Sequence, residues 1–218
     1  MDNGTFVTAG LVLRETETKE SDKILTVLTP ELGRISVIAK GARSRRSKYT
    51  AACQLLAYDE MTLRRKGEWY YLAEASTIEL FDGVRQDIEK LALKDDVLRR
   101  ANEAVCQDAM AAADMLLLLL NALFALGMLE KPNRLVKTAF VWRLLAEAGF
   151  APLADGCAVC GVTEPQEPVL CITEGVIACA KCADPRTDKV PLCAGSLAAM
   201  RHIVHADPKK IFSFTLAS

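Results

Sequence analysis

Residues 24–40, which read ILTVLTPELGRISVIAK, decide the fold of the first part of the chain. Two runs of apolar and β-branched residues flank a Pro–Glu–Leu–Gly turn, a pattern typical of a β-hairpin. Further strand signals lie at residues 6–14, 55–65 and 69–79. Five short strands with no helical period between them predict a small closed or partly open barrel, and in this size range they favour an OB-like barrel over a sandwich.

The apolar period becomes helical after residue 82. Apolar residues recur at helical spacing between 88 and 105, and residues 109–129 are apolar nearly all round, which is typical of a central core helix. A second helix is expected from Lys131–Pro132 to Ala148–Gly149, because proline favours a first helical turn and glycine a helix end. Residues 196–205 predict one more helix.

Length and composition indicate an ordinary globular protein. The chain has 218 residues, 51% hydrophobic and 25% charged, with a net charge of −1, so any electrostatic binding surface must be local. The longest apolar run, residues 115–120, is too short to span a bilayer. The start, MDNGTFVTAG, has no basic region, so we expect no secretory signal. A reducing cytosol is therefore expected, where cysteines bind metal or stay free.

Two Cys-x-x-Cys pairs predict a metal site. Cys157 and Cys160 are separated by eighteen residues from Cys179 and Cys182, within the range of four-thiolate zinc sites. Two short knuckles can aim four sulfurs at one ion and complete a tetrahedron. The intervening residues 169–178 read as a hairpin, and a hairpin between two knuckles is typical of a zinc ribbon.

Other uses of these cysteines are disfavoured. A redox pair would sit at a strand-to-helix junction of a βαβ unit, which is missing here, and the expected compartment disfavours disulfides. Four thiolates close the coordination sphere, so the zinc would be structural, although His202 and His205 with Cys193 are competing ligands. Those histidines more simply lie exposed or cap a helix. Cys171 is assigned to the hairpin core, and three others to small buried apolar positions: Cys53, Cys106 and Cys193.

A basic window covers the second half of the barrel. Nine basic residues and two acids between residues 34 and 66 give it a net charge of +7. OB folds follow single-stranded nucleic acid with such a surface and with aromatic neighbours. The alternative is a solvated, flexible loop. The candidate nucleic-acid-binding residues are Arg34, Lys40, Arg43, Arg45, Arg46, Lys48, Arg64, Arg65 and Lys66. The candidate stacking residues are Tyr49, Trp69, Tyr70 and Tyr71. Successive side chains of a strand point to opposite faces, so alternate residues of the run 69–71 must face the core and at most half of that run can stack on bases.

Catalytic signatures are missing from the sequence. It contains no phosphate-binding loop, nucleophile elbow or His-Glu-x-x-His motif. The acids Glu15, Glu17, Glu20 and Asp22 read as a solvated hairpin turn. The sequence therefore predicts a protein without enzymatic activity.

Three stretches carry a resemblance to a known family. They are VLRETETKESDKILTVLTPELGRISVIAKGAR at 12–43, RKGEWYYLAEA at 65–75, and FVWRLLAEAGFAPLADGCAVCG at 140–161. The last joins a helix end to the first knuckle and is the most specific. Over about residues 5–205 the chain resembles the RecO family of bacterial DNA repair proteins.

The resemblance implies a multidomain α+β fold. Its parts would be an OB-fold domain over 1–80, a helical domain over 81–152 and 194–218, and a zinc-ribbon-like insertion over 153–193. It implies a cytoplasmic, nucleoid-associated mediator of the RecF pathway that binds single- and double-stranded DNA and anneals complementary strands. The implied partners are RecR and the C-terminal tail of single-stranded-DNA-binding protein (SSB), with RecA helped indirectly and no membrane contact.

The resemblance also assigns residues. The basic loop matches Lys40, Arg43, Arg45, Arg46 and Lys48, and the four cysteines match the family's zinc ligands. The SSB-tail pocket would lie in the helical body near Arg134, Lys137 and Arg143. Two departures are Cys53-Gln-Leu-Leu-Ala, where relatives read leucine-proline, and an end at Ser218, where relatives continue with a helix and a basic tail. The alternative function is a protein-interaction scaffold that docks partners on the barrel and the ribbon without binding DNA.

Overall fold

A computed structural model of the chain describes residues 4–18, 20–85, 87, 89–90, 97–98 and 109–214. The chain forms two compact units, Met1–Glu130 and Lys131–Ser218. The helix predicted between 88 and 105 falls largely, and Cys106 entirely, outside the described residues. In the described ranges, every helix falls short of the length and apolarity that a membrane span requires. The division into domains at 1–80, 81–152 with 194–218, and 153–193 stays a prediction.

Five strands form a closed barrel in the first unit. They are β1 (Thr5–Thr18), β2 (Asp22–Thr29), β3 (Gly33–Ala39), β4 (Tyr58–Lys66) and β5 (Trp69–Glu79). Their order around the barrel is β1-β2-β3-β5-β4. The pairs are antiparallel except β3 with β5, which run parallel and close the barrel through Val37 and Ile38. This arrangement confirms the predicted five-stranded barrel of OB type.

Alternating side chains of the strands fill the barrel. Leu25, Val27, Val37, Met61 and Leu63 are all fully buried, and each contributes roughly 1.5–3 kcal/mol by leaving water. The β2–β3 hairpin forms as predicted, with β2 and β3 in register from one end to the other.

The β2–β3 turn depends on a buried hydroxyl and a glycine. The Thr29 Oγ1 donates to the carbonyl of Gly33 at 3.0 Å and accepts from the Leu32 N–H at 3.1 Å. Gly33 has φ +65°, a backbone conformation that costs glycine little and other residues more.

Two local predictions in the barrel are wrong. The strand expected from residue 55 begins at Tyr58, because residues 41–57 fold into successive turns. Leu56 adopts φ +66° there, and its side chain is 1% exposed, so burial offsets the strained backbone. The expected acidic turn is also wrong for two of its members, since Glu15 and Glu17 lie in β1 opposite Leu25 and Lys23.

Helices pack against the barrel within the first unit. These are α1 (Asp82–Arg85) and α2 (Ala109–Met128). The predicted core helix is confirmed: α2 buries Leu118, Leu119, Leu123 and Leu126 and contacts β2, β3 and α1.

The second unit combines two helices with a small sheet. Its elements are α3 (Asn133–Leu145), a wide turn (Ala146–Phe150), β6 (Pro168–Cys171), β7 (Val176–Cys179), β8 (Lys189–Pro191), α4 (Ala194–His205) and a 3₁₀ turn (Pro208–Lys210). The predicted hairpin is β6–β7, and the sheet order is β7-β6-β8, with β8 not foreseen. Leu170 and Ile177 of the sheet pack on Leu197 and Met200 of α4 and on Trp142 of α3.

Of the cysteines outside the two Cys-x-x-Cys pairs, the part of the chain that the structure describes contains two buried residues and one exposed residue. Cys171 is buried in the hairpin and Cys53 in the barrel, as predicted. The prediction for Cys193 is wrong: it is exposed and caps α4, where its Sγ accepts from the Ser196 N–H at 3.3 Å. An exposed position at a helix start favours a side-chain acceptor over an apolar group.

Candidate nucleic-acid interface and metal centre

A basic cleft lies where the end of β3 meets the β4–β5 hairpin. Its lining, here called the basic cleft, consists of Thr5, Lys40, Arg64, Arg65, Lys66 and Tyr71, around a volume of about 480 Å³. The strand order explains the cluster. β3 runs beside β5 and delivers Lys40 there, and β4 ends beside the start of β5 with three consecutive cations.

The charges of the basic cleft are not neutralised. Its lining holds four cations and, among the described residues, no carboxylate. Lys40 lies 5.4 Å from the centre of the Tyr71 ring, and Arg65 donates to the carbonyl of Gly67 at 3.2 Å. Arg64 and Lys66 form no ion pair within the described chain. Four like charges around one concave surface repel one another, so a phosphate group or another compact anion would relieve that repulsion.

The predicted basic loop is folded against the β1–β2 hairpin. The Asp22 carboxylate accepts from the Gly41 N–H at 2.8 Å, and the Arg43 N–H donates to the carbonyl of Ser21 at 2.9 Å. The Arg43 guanidinium forms an ion pair with Glu17 at 2.9 Å. The loop is therefore anchored, and Arg43 is one of its anchors.

The other predicted cations of the barrel lie at two places. Arg45, Arg46 and Lys48 are exposed on the turns that follow Lys40, and Lys48 lies 5.1 Å from the centre of the Tyr49 ring. Arg34 lies at the opposite end of β3, about 20 Å from Lys40 at the rise of an extended strand. The structure thus brings Lys40, Arg64, Arg65 and Lys66 together and leaves Arg34 apart.

The aromatic residues divide between the two faces of the barrel. Tyr71 lines the basic cleft, and Trp69, two residues earlier on the same face, is 44% exposed. Tyr70 faces the other way, packs on the barrel core and meets Phe6 edge-on at 6.1 Å. Tyr49 also packs on that core, and its hydroxyl donates to the carbonyl of Ala73. Trp69 and Tyr71 are the rings that a nucleotide base could reach.

The four predicted cysteines meet in the second unit. The sulfurs of Cys157, Cys160, Cys179 and Cys182 all lie within 4.8 Å of one another. Gly161, with φ +74°, lets the first knuckle turn sharply after Cys160, and its N–H donates to the carbonyl of Cys157 at 2.8 Å. The second knuckle turns through bonds from the N–H groups of Cys182 and Ala183 to the carbonyl of Cys179, at 2.9 and 3.0 Å.

The geometry of this four-cysteine cluster fits a tetrahedral metal. The Cys160 and Cys179 sulfurs are 3.8 Å apart. Sulfurs placed about 2.3 Å from a central zinc would stand about 3.8 Å apart, which is the edge of a tetrahedron. The backbone N–H groups of Cys160, Cys179 and Val159 direct hydrogen bonds at the Cys157 sulfur and lower its pKa to about 6, whereas burial raises the pKa of Cys179 to about 12 and the neighbouring Cys160 sulfur raises the pKa of Cys182. The cluster could therefore hold one metal ion.

The two histidines lie outside the four-cysteine cluster. His202 Nε2 lies 2.9 Å from the carbonyl oxygen of Lys210, and His205 Nε2 lies 3.5 Å from an Asp155 oxygen. Their assignment as helix-end or exposed imidazoles fits this position.

The basic residues predicted on α3 have different surroundings. Arg134 is exposed, and Lys137 is half-buried. Arg143 is engaged at the end of α4, where it donates to the carbonyls of Ile203, Val204 and Ala206 at 3.2, 3.0 and 2.9 Å. All three belong to the helix that forms one wall of an apolar groove. Its lining, here called the apolar groove, includes Leu135, Trp142, Ile172, Val190, Met200 and Phe214.

Two residues at the basic cleft and the four-cysteine cluster are not among those predicted from the sequence. Thr5 enters the basic cleft because β1 pairs with β4, Thr5 opposite Arg64. Arg201, on α4, donates hydrogen bonds to the carbonyls of Ala154 and Thr163, which flank the first cysteine knuckle. No motif marks either residue, since each contributes through long-range pairing.

Comparison with known proteins gives one family for the whole chain. The model for the recombination protein O N-terminal region matches residues 1–81, and that for its C-terminal region matches 85–218. A protein named DNA repair protein RecO from Acetivibrio thermocellus is 30% identical over 210 residues, which cover 96% of this chain and 83% of the relative. Relatives of the same name from Caldicellulosiruptor bescii and Anaeromyxobacter sp. strain K are 32% and 34% identical, over 81% and 88% of this chain and 72% and 76% of theirs.

Proposed function

The chain belongs to the RecO family of DNA repair proteins, and from that premise we propose that it is a recombination mediator. It binds single- and double-stranded DNA, anneals complementary strands and, with RecR, helps to load RecA onto DNA coated with SSB. It acts by binding and bringing strands together, without catalysing a covalent step, in the cytoplasm at the nucleoid.

The basic cleft is the observation that carries the DNA-binding part of this proposal. Four cations, with no carboxylate facing them from the described residues, suit the phosphodiester backbone, which attracts lysine and arginine whatever the base sequence. Tyr71 in the basic cleft and Trp69 beside it offer rings for bases, as in other OB folds that follow single strands. The exposed Arg45, Arg46 and Lys48 extend the positive surface beyond the basic cleft.

The four-cysteine cluster supports a structural zinc ion. Cys157, Cys160, Cys179 and Cys182 would hold it, and four protein sulfurs leave no open position for water or substrate. When bound, the ion would supply cross-linking of the two knuckles rather than Lewis-acid chemistry. The ribbon is then a stable surface element of the second unit.

The apolar groove supports a site for the SSB tail. Its lining is almost wholly apolar around about 480 Å³, and Arg134 and Lys137 stand beside its residues Leu135 and Thr138 on α3. An apolar tail with a terminal carboxylate would suit such a groove with a cation at its rim. Because Arg143 is engaged with α4, Arg134 is a better candidate for the cation than Arg143.

Two titrations followed by fluorescence anisotropy test the proposal against the scaffold alternative. One uses a labelled oligonucleotide and the other a labelled peptide of the SSB tail, both at several salt concentrations. We expect the oligonucleotide to bind with an affinity that falls steeply as salt rises. Binding of the peptide without any binding of DNA would favour the scaffold function instead. Annealing of two labelled complementary strands, followed by energy transfer, then tests the mediator function itself.

A further inference from the structure

One arginine holds both ends of the segment that carries the first cysteine knuckle. Arg201 Nε donates to the carbonyl of Ala154 at 2.7 Å, and its Nη2 donates to the carbonyls of Thr163 at 2.6 Å and Asp155 at 3.3 Å. Its Nη1 forms an ion pair with Glu164 at 2.6 Å. A single guanidinium thus contacts four residues, 37 to 47 positions earlier in the chain.

These contacts lie directly beside two of the metal-ligand candidates. Asp155 is two residues before Cys157, and Thr163 is three residues after Cys160. Between them the segment closes on itself through the Cys157 N–H, which donates to the carbonyl of Val162 at 2.8 Å. Arg201 therefore fastens the base of a small loop whose tip presents the Cys157 and Cys160 sulfurs.

The chemistry of arginine suits this task better than that of any other side chain. Its planar fork presents five donors in fixed directions, so it can satisfy several carbonyls at once. The side chain is only 22% exposed, so water replaces its hydrogen bonds poorly if it is removed. Glu164, at 78% exposed, is in contrast a surface partner of modest energetic weight.

The second knuckle has a different support. Cys179 ends β7, and the Ala180 N–H donates to the carbonyl of Glu167 at 2.9 Å, so the sheet itself fixes its position. The first knuckle precedes the sheet but also bonds it, since the Ala158 N–H donates to the carbonyl of Ile177 in β7 at 2.8 Å, and Arg201 ties both ends of the knuckle's segment to α4. The bond to β7 holds the middle of the first knuckle, and this arginine holds the two ends of its segment.

We propose that Arg201 is the positioning residue of the four-cysteine metal site, holding the first knuckle where its two sulfurs complete the tetrahedron with Cys179 and Cys182. The proposal rests on the zinc assignment made above. Without Arg201 the loop has to be ordered when the metal binds, so affinity falls while the ligands stay the same. Loss of a group that hydrogen-bonds a metal ligand typically costs about 10–100-fold in metal affinity, and we take that range for the loss of this loop's anchor.

Zinc competition with a chromophoric chelator measures the effect on the full chain. We expect Arg201→Met to weaken zinc binding by about 10–100-fold and Arg201→Lys by less, because lysine bonds one carbonyl at a time. Glu164→Gln should stay within about threefold of the unchanged protein, since the carbonyl bonds remain. Cobalt substituted for zinc should give the same tetrahedral thiolate spectrum in all of them.

A matched control separates positioning from general loss of stability. Ile203→Val thins the buried face of the same helix, at a cost of about 0.5–1.5 kcal/mol, and leaves the knuckle untouched. It should lower the melting temperature without changing zinc affinity. Arg14→Met, which removes an exposed arginine from β1, should change neither.

Each outcome bears on one claim. Zinc affinity of Arg201→Met equal to that of the unchanged chain would overturn the positioning role. If Arg201→Met does not fold, as judged by circular dichroism, Arg201→Lys decides, and an unchanged affinity there also overturns the role. Less than about half an equivalent of zinc in the unchanged chain would instead defeat the metal assignment itself.

Discussion

Removing the uncompensated cations of the basic cleft should weaken DNA binding in a way that salt reveals. The triple variant Lys40→Ala, Arg64→Ala and Lys66→Ala leaves Arg65 in place, because that residue also bonds the carbonyl of Gly67 in the hairpin turn. If each removed cation neutralises one phosphate of a single strand, the slope of log affinity against log salt becomes shallower by about 0.7 per cation, or about 2 in all. The same relation predicts a loss of about 100-fold at 0.1 M salt and only about fourfold at 0.5 M.

Fluorescence anisotropy of a labelled single strand across this salt range measures both quantities. The matched control removes three exposed lysines of the second unit, Lys189, Lys209 and Lys210, by substitution with alanine. It changes the net charge by the same amount, so its slope reports the effect of overall charge alone, and we expect it to move by a few tenths at most.

Equal slopes of log affinity against log salt for the basic-cleft variant and the unchanged protein would show that these cations do not bind DNA phosphates. So would equal losses in the basic-cleft variant and the control, because affinity would then follow net charge rather than the basic cleft. Circular dichroism and thermal unfolding of the triple variant should be unchanged, since all three side chains are exposed at the ends of strands.

Three further predictions concern a loop anchor, a buried acid and the metal. Arg43→Ala should cost less DNA affinity at 0.1 M salt than Arg46→Ala, about twofold against about fivefold, because Glu17 already engages Arg43; titration of the two single variants checks this. Both oxygens of Asp59 are buried, and that burial raises the pKa of Asp59 to about 6, while the Thr77 side chain lowers it in part. The folded state therefore holds this proton more tightly than the unfolded state, so stability falls as pH rises from about 4 to about 6. Asp59→Asn should abolish that fall and add about 1–3 kcal/mol at pH 7.5 in urea unfolding; equal stabilities at pH 7.5 would contradict the inference. Zinc removal by a chelator should lower the melting temperature of the unchanged chain but not that of Cys157→Ser, as scanning calorimetry would show.

The barrel and the four-cysteine cluster could be predicted because their signals are local. Apolar and polar residues alternate along β2 and β3, and this indicates one buried face per strand. The spacing of the two Cys-x-x-Cys pairs indicates that two short knuckles bring four sulfurs together. Neither inference requires knowledge of what lies across the fold.

The remaining features depend on contacts between distant parts of the chain. Arg34 and Lys40 look equivalent in the sequence, yet six residues of extended strand place them at opposite ends of β3. Arg43 looks like a free loop cation until the β1–β2 hairpin brings Glu17 to it. The role of Arg201 depends on where α4 packs, and the left-handed backbone of Leu56 is tolerated because the barrel buries its side chain. Local sequence patterns do not indicate which distant residues come into contact.

Ultraviolet cross-linking of a single-stranded oligonucleotide to the full chain, followed by mass spectrometry of the peptides, tests the central claim most directly. We expect cross-links in peptides from residues 40–71, with Tyr71 or Trp69 among the modified residues, and we expect these cross-links to be lost at high salt. Cross-links confined to residues 131–214, under conditions where the strand is bound, would contradict the assignment of DNA binding to the barrel.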